Sequence, residues 1–447
     1  MKTFAILFLA FALLPLNAVA AQVPSHIPTW AFDQKFAEGK DASSSDVQRY
    51  LTYAESGFGN DKPVRDCRGS GACSSVFYFD PGFVYYSDVC PFTFSKDVIA
   101  AASEDWYVHL PGYSDQAHRI QGSYIKTCKG MRITASVYAL NQSNPAVGQF
   151  FAQYLQRNAD NWDYYLMDDT SSVLKSQTYG PGGGFCKGGG TLNGYCTRTQ
   201  EWTNDTDVVN AHGTFVSRLK HVNGAPMRVF YNGVSFDASG SPRVELLRLS
   251  SQFVGAICEN CVVNNGTLRA NMYAKVLDTM ALIGQTPNAA FVEQNTGKSP
   301  PGSDDQIAQR LVTTAMAWLG FIDNRTIVFP NLEFNTTNLA VWPENDIYPT
   351  QPVQTMRRGN GDLSVGASVW RREFAQCYLR GKPIGPCAAV VNGSSASVTP
   401  SQNWFTARLS HAVALKGGDA LNGGTVSLDS QSASTSIDPG HALLLVR

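Results

Sequence analysis

The sequence predicts an α/β chain: a (β/α)8 TIM barrel followed by a small C-terminal antiparallel β-sandwich. Three observations carry the prediction. Eight short apolar segments recur, at residues 75–80, 106–110, 131–140, 161–169, 227–232, 253–259, 289–293 and 326–330, and several end in a carboxylate or an amide. Patterns of helical period separate most of them, which is the alternation of a closed parallel barrel. From Gly366 the texture changes to brief β-type runs joined by Asn-Gly, Gly-Gly and Ser-rich turns, as in antiparallel sheets. The expected divisions are a leader over residues 1–20, the barrel over 21–365 and the β-domain over 366–447.

Lys2, the apolar run 4–16 and Ala18-Val19-Ala20 make a secretory leader with cleavage after Ala20 or Ala21. That run is too short to cross a bilayer, and no later stretch is long enough. The expectation is a secreted or periplasmic protein with no membrane span. Ten cysteines fit an oxidising compartment. They fall as neighbours: Cys67 with Cys73, Cys90 with Cys128, Cys186 with Cys196, Cys258 with Cys261, and Cys377 with Cys387. Proximity favours those pairs, although spacing alone leaves the connectivity open. Cys258-x-x-Cys261 lacks the second such pair that a zinc site would bring, so no metal is expected. A structural disulfide and a redox pair are the two readings left. A net charge of -1 with no basic stripe argues against nucleic acid or an anionic membrane as partner. Residues 180–194 are glycine-rich, but no Gly-Lys-Ser/Thr follows. They read as a disulfide-pinned loop, and no cofactor is expected.

In chain order, Ser44 or Ser45 opens a short helix through Val47, Tyr50, Leu51 and Ala54. Residues 75–80 (Ser-Val-Phe-Tyr-Phe-Asp) have β composition. Residues 106–110 form a second strand with His109 near its end. In 131–140, Ile133, Ala135, Val137 and Ala139 alternate with polar neighbours. Asn144-Pro145 is an N-cap with proline at the first helical position. Val147, Phe150, Phe151, Tyr154 and Leu155 then share one helical face. That helix feeds residues 161–170, a buried strand closing in Asp168-Asp169-Thr170. A helix from Asn204 or Asp205 carries Val208, Val209, His212, Phe215, Val216 and Leu219, with His212 as a core histidine. Ser303-Asp304-Asp305-Gln306 is a capping box ahead of Ile307, Leu311, Ala315, Trp318 and Leu319.

All strand C-termini of a parallel barrel open on one face. Asp168, Asp169, Asn232, Glu259, Glu293 and Asn295 are expected to converge there. Neighbours on a strand point to opposite sides, so only one of Asp168 and Asp169 enters the mouth. The plainer alternative has both simply starting a turn. Hydrolysis of a glycosidic bond needs two carboxyl groups, one protonated and one ionised. Asp168 and Glu259 are the first choices, with Asp169 and Glu293 as substitutes. Asn232 and Asn295 would hold sugar hydroxyls, Tyr231 and Trp342 would stack on sugar faces, and His109 would line the pocket. Glu259 has an alternative role as a solvent-facing residue of a tight Cys258–Cys261 turn.

Several motifs carry a family resemblance. They are Asn144-Pro145, then Asp163-Tyr164-Tyr165-Leu166-Met167-Asp168-Asp169, Phe230-Tyr231-Asn232-Gly233, Gly255-Ala256-Ile257-Cys258-Glu259, Trp342-Pro343-Glu344-Asn345-Asp346 and Arg371-Arg372-Glu373-Phe374. Together they resemble the glycoside-hydrolase-like barrel proteins of the α-galactosidase-type superfamily, over most of the mature chain. The resemblance implies a fourth-strand nucleophile, Asp168, and a sixth-strand acid/base, Glu259. The family usually has glycine within the fourth strand, where this chain has Trp162 to Tyr165; that departure bears on the subsite and on activity. The expected function is a secreted glycoside hydrolase cleaving an extracellular or cell-wall polysaccharide. The alternative is a non-catalytic carbohydrate-binding protein on a degenerate barrel. A metal-dependent deacetylase built on Asp168-Asp169 ranks last, because no His-x-x-x-His occurs.

Overall fold

Short apolar segments with polar ends pair side by side in the computed structural model. It describes residues 24–30, 51, 56–58, 67, 73–86, 93–128, 131–168, 170, 199–236, 240–264, 266–296, 299–331, 340–359 and 361–447. The expected leader, all of the helix expected from Ser44 or Ser45 except Leu51, Cys90, Asp169 and the glycine-rich loop with Cys186 and Cys196 lie outside those residues. Apart from four strands of two residues each, the strands ahead of the C-terminal sheet are β1 (Ser56–Phe58), β2 (Ser74–Phe79), β3 (Phe83–Tyr86), β4 (Gln121–Cys128), β5 (Met131–Ala139), β6 (Tyr164–Met167), β7 (Val229–Asn232), β8 (Phe253–Ile257), β9 (Ala289–Asn295) and β10 (Thr326–Asn331). Seven of them form one sheet in the order β1-β2-β6-β7-β8-β9-β10, and each pairing is parallel. Thr29, which belongs to no strand, adds a single parallel bridge to Val328 of β10. Among the described residues no pairing joins Thr29 to β1. The architecture of the described residues is therefore an α/β fold with a curled parallel sheet, coarser than the closed barrel expected.

Two expected barrel strands lie elsewhere. Residues 131–140 form β5, which pairs antiparallel with both β3 and β4. Alternation of apolar and polar residues marks a strand with one covered face, whereas a parallel strand buried on both faces reads as a continuous apolar run. Residues 106–110 make only two isolated antiparallel bridges, Tyr107 to Leu140 and His109 to Arg119. β1, a strand of three residues, pairs with β2 at one end of the parallel sheet. In the sheet, β7 lies between β6 and β8, so the strands that lead to Asp168 and Glu259 are separated by one strand.

The sheet has two differently filled faces. Helices α1 (Pro145–Ala159), α2 (Asp205–Arg218), α3 (Tyr273–Gly284) and α4 (Asp304–Leu319) contribute to the larger core, which also takes Tyr165, Met167, Tyr231, Ala256 and Val292 from the strands. The smaller, concave core takes Val76, Leu166, Phe230, Ile257, Phe291 and Ile327, the residues of opposite parity. Trp30 lies in the hollow against Tyr164, Phe230 and Phe291 at ring separations of 5.0, 5.5 and 5.3 Å. Those rings come from β6, β7 and β9, so the sheet must curl for one indole to reach all three. Phe230 stacks on Phe291 at 4.8 Å, across the intervening β8, where Gly255 leaves room. The helix starts follow their caps. Asn144 accepts from the Ala146 N–H, Asn204 from the Asp207 N–H and Ser303 from the Gln306 N–H. His212 is buried against Gln142, as a core histidine.

Besides a short edge strand at Ser364–Gly366, the C-terminal strands are β11 (Ile347–Pro352), β12 (Val369–Leu379), β13 (Lys382–Asn392), β14 (His411–Lys416), β15 (Thr425–Ser432) and β16 (Ala442–Val446). They pair antiparallel in the order β11-β12-β13-β16-β14-β15. The sheet thus starts at Ile347, ahead of the change of texture at Gly366. One face packs on α4, with Trp318 edge-on to Phe374. The other is covered by its own connections through Val398, Trp404 and Phe405, so a single antiparallel sheet stands where a two-sheet sandwich was expected. Disulfides join Cys67 to Cys73, Cys258 to Cys261 and Cys377 to Cys387. Among the described residues no helix is long and apolar enough to cross a membrane.

Candidate functional site

Side-chain parity along four neighbouring strands decides what reaches the concave end. Leu166 faces the hollow, and so does Asp168, one residue beyond β6, whose N–H still pairs with the Phe79 carbonyl at 3.0 Å. Phe230 faces it, and so does Asn232 at the end of β7. On β8 and β9, Ile257 and Phe291 precede Glu259 and Glu293 by two residues each.

Asn232 is the centre of the arrangement. Its buried amide nitrogen donates to Asp168 Oδ1 at 2.8 Å and to Glu259 Oε2 at 2.5 Å. Both bonds start at one nitrogen, so the two accepting oxygens lie within about 5.3 Å of each other, the bonds laid end to end. The other oxygen of Asp168 accepts from the Tyr78 hydroxyl at 2.6 Å. The Asn232 carbonyl in turn takes the Thr170 N–H at 2.9 Å, and the Thr170 hydroxyl closes on the Asp168 carbonyl at 3.0 Å. The two acids differ in setting: Asp168 is 9 % exposed, and Glu259 projects into solvent.

Glu259 sits in the turn closed by the Cys258–Cys261 disulfide. The next residue, Asn260, adopts the left-handed conformation at φ 55°. Its N–H donates to Glu293 Oε2, its carbonyl accepts from Arg269 Nη1 at 2.8 Å, and its side-chain oxygen accepts from Asn295 Nδ2 at 2.8 Å. Glu293 and Asn295, both buried, thus meet the acid-bearing turn.

Other expected site residues are not brought to this point. Tyr231 lies on the helix-facing side with none of its surface exposed, and burial pushes its hydroxyl far above the ordinary phenol range. It is one residue from Asn232, and strand alternation turns it away, so its role is core packing. Trp342 is buried with the Arg310 guanidinium 4.7 Å from its ring; it belongs to the joint with the C-terminal sheet and offers no face to a sugar. His109 belongs to the antiparallel insertion. Its ring nitrogens face Glu201 at 2.7 Å and Glu104 at 3.0 Å. Asp169 lies outside the described residues.

Comparison with known proteins finds distant matches among solved structures. No family model matches the chain, and no curated protein matches it. Among solved structures it is similar to the galactosidase domain of the alpha-galactosidase–sucrose kinase AgaSK, at 9 % identity and a TM-score of 0.41, over 96 % of this chain and 55 % of that one. An alpha-galactosidase from Thermus thermophilus matches at 11 % identity and a TM-score of 0.36, over 68 % and 57 %. An alpha-amylase from Geobacillus thermoleovorans matches at 8 % and 0.40, over 94 % and 98 %. The chain spans little more than half the length of the first two.

Sequence reasoning missed Tyr78, Asn260 and Arg269. Tyr78 had a usable signal, since it lies two residues beyond the concave-facing Val76. Asn260 had a weaker one, because asparagine tolerates the left-handed conformation that tight turns require. Arg269 gave none, as its contact depends on how the chain returns after Asn264.

Proposed function

We propose that the chain is an exported glycoside hydrolase that cleaves O-glycosidic bonds of an extracellular or cell-wall polysaccharide with retention of configuration. The single observation that supports this reading is the sharing of one amide nitrogen between Asp168 and Glu259. Retaining enzymes keep their two carboxyl groups about 5–5.5 Å apart, whereas inverting enzymes leave about 6.5–9.5 Å for a water. The bridge through Asn232 fits the shorter class. Asp168, deep in the site with a donor on each oxygen, attacks the anomeric carbon and forms a glycosyl ester. Glu259, at the solvent edge, gives its proton to the departing glycosidic oxygen. It then removes a proton from the water that hydrolyses the ester, which returns both acids to their starting states. Asn232 sets the distance between them.

The bulky residues of the fourth strand do not count against this reading. Trp162 and Tyr165 belong to the helix-facing core. Tyr164 packs on Trp30 in the hollow, four residues and about 13 Å along the strand from Asp168. The test is a panel of aryl α- and β-glycosides and cell-wall polysaccharides, with product configuration read by NMR. Asp168→Asn and Glu259→Gln are each expected to lower kcat by about 10²–10⁴-fold with the fold intact. Full turnover in both variants would defeat the assignment. Saccharide binding without release of reducing ends would favour the non-catalytic alternative.

A further inference from the structure

We propose that Glu293 is a positioning residue for Glu259, acting through Asn260 as a hydrogen-bond acceptor and never exchanging a proton with substrate. The inference rests on the two-carboxylate reading and assigns a different task to the acid that sequence alone offered as a substitute for Glu259.

Three anchors converge on one residue. The Asn260 N–H meets the Glu293 carboxylate, its carbonyl meets Arg269, and its side-chain oxygen meets Asn295. A carboxylate acceptor makes a stronger bond to an N–H than a neutral oxygen does. The disulfide joins the residues on either side of the Glu259-Asn260 pair. With Asn260 held in the left-handed conformation, the Glu259 backbone has little freedom left. An exposed glutamate has many rotamers to choose from, so a fixed backbone is what aims this one at Asn232. Glu293 and Asn295 share a face of β9, next to β8, and both spend polar atoms on this turn. Glu293 is buried with an oxygen on a backbone N–H, a poor place from which to hand a proton to a leaving group.

The test compares Glu293→Gln, Glu293→Leu, Glu259→Gln and Glu259→Ala on an aryl glycoside that the wild type hydrolyses. A glutamine oxygen still accepts from the Asn260 N–H, so Glu293→Gln is expected to keep kcat within about threefold and its pH profile unchanged. Glu293→Leu is expected to lose kcat by about tenfold or more at nearly constant KM, as misplacement of an acid does. Added azide is expected to restore Glu259→Ala and not Glu293→Leu. A Glu293→Gln variant as dead as Glu259→Gln, or a fully active Glu293→Leu, overturns the proposal. Crystal structures of the wild type and Glu293→Leu supply an arm that needs no substrate. The Glu259 carboxylate is expected to leave Asn232 in the variant, and an unmoved carboxylate overturns the proposal. If Glu293→Leu does not fold, Asn295→Ala removes a neighbouring anchor and is read in the same two ways. Full activity in both Asp168→Asn and Glu259→Gln would instead defeat the two-carboxylate reading, and the crystallographic comparison would still decide the positioning role.

Discussion

Asn232 does what few side chains can. A primary amide offers two N–H donors from one nitrogen, and here each meets a different carboxylate. Aspartate would offer no donor there, and serine only one. The same economy of donors appears far from this point, where His109 is gripped by Glu104 and Glu201 while Arg119 forks onto Glu104. The Arg119 hydrogen bonds hold the Glu104 carboxyl below its ordinary value of 4.5, against partial burial and with help from His109. A carboxyl with a depressed folded pKa stabilises the fold above the unfolded value, and that contribution is lost as pH falls through the folded one. Thermal melts from about pH 6 to about pH 3 should therefore fall more steeply for the wild type than for Arg119→Met, which has less of this contribution to lose. Parallel curves would show that the fork contributes nothing to acid stability.

β8 depends on the absence of a side chain. A Cβ added at Gly255 would lie 2.5 Å from Phe291 Cε2 and 3.0 Å from the Ala289 carbonyl. The ring can shift, but the carbonyl belongs to the neighbouring strand. Gly255→Ala is expected to cost about 1–3 kcal/mol by overpacking. Adding Phe291→Leu should recover part of that, since it relieves the ring and not the carbonyl. Urea unfolding of the three proteins checks this, and a double variant no better than the single would place the whole strain in the backbone. Strands such as β8 were legible in the sequence because a continuous apolar run closing in an acid means the same thing locally and in the fold. The bridge at Thr29 and the three-residue β1 were not, because so few residues carry no periodicity and are placed only by their neighbours. β5 shows its character in its alternation, which marks a strand with one covered face and so argues against a place in the parallel sheet. At the site, the strand ends gave Asp168, Asn232, Glu259, Glu293 and Asn295. The same reasoning offered Tyr231, which parity alone would have removed. Trp342 needed the C-terminal sheet in view before its burial made sense.

The two sheets meet on α4, and the joint carries charge. Arg310 and Glu344 are both fully buried, paired at 2.9 Å through Nε and 2.5 Å through Nη2. Arg310 Nη1 also donates to the Gly417 and Gly418 carbonyls, each at 2.9 Å, in the connection between β14 and β15. That connection continues to Leu421, which joins Val341 in the concave core. One guanidinium therefore ties a helix of the curled sheet, the turn before β11 and a connection of the C-terminal sheet. Removing one partner of a buried pair leaves an uncompensated charge, at a cost of about 3–5 kcal/mol. Glu344→Gln should destabilise by that order, and Arg310→Met with Glu344→Leu by less, because no stranded charge remains. The apolar face of β12, β13 and β16 lies on α4, so the C-terminal sheet cannot unfold without exposing Trp318 and its neighbours. Unfolding in denaturant, followed by tryptophan fluorescence and far-UV circular dichroism, should then give one transition that Glu344→Gln moves as a unit. Two separated transitions in that variant would mean that the sheets are joined by the ion pair alone and that the apolar contact on α4 does not couple them.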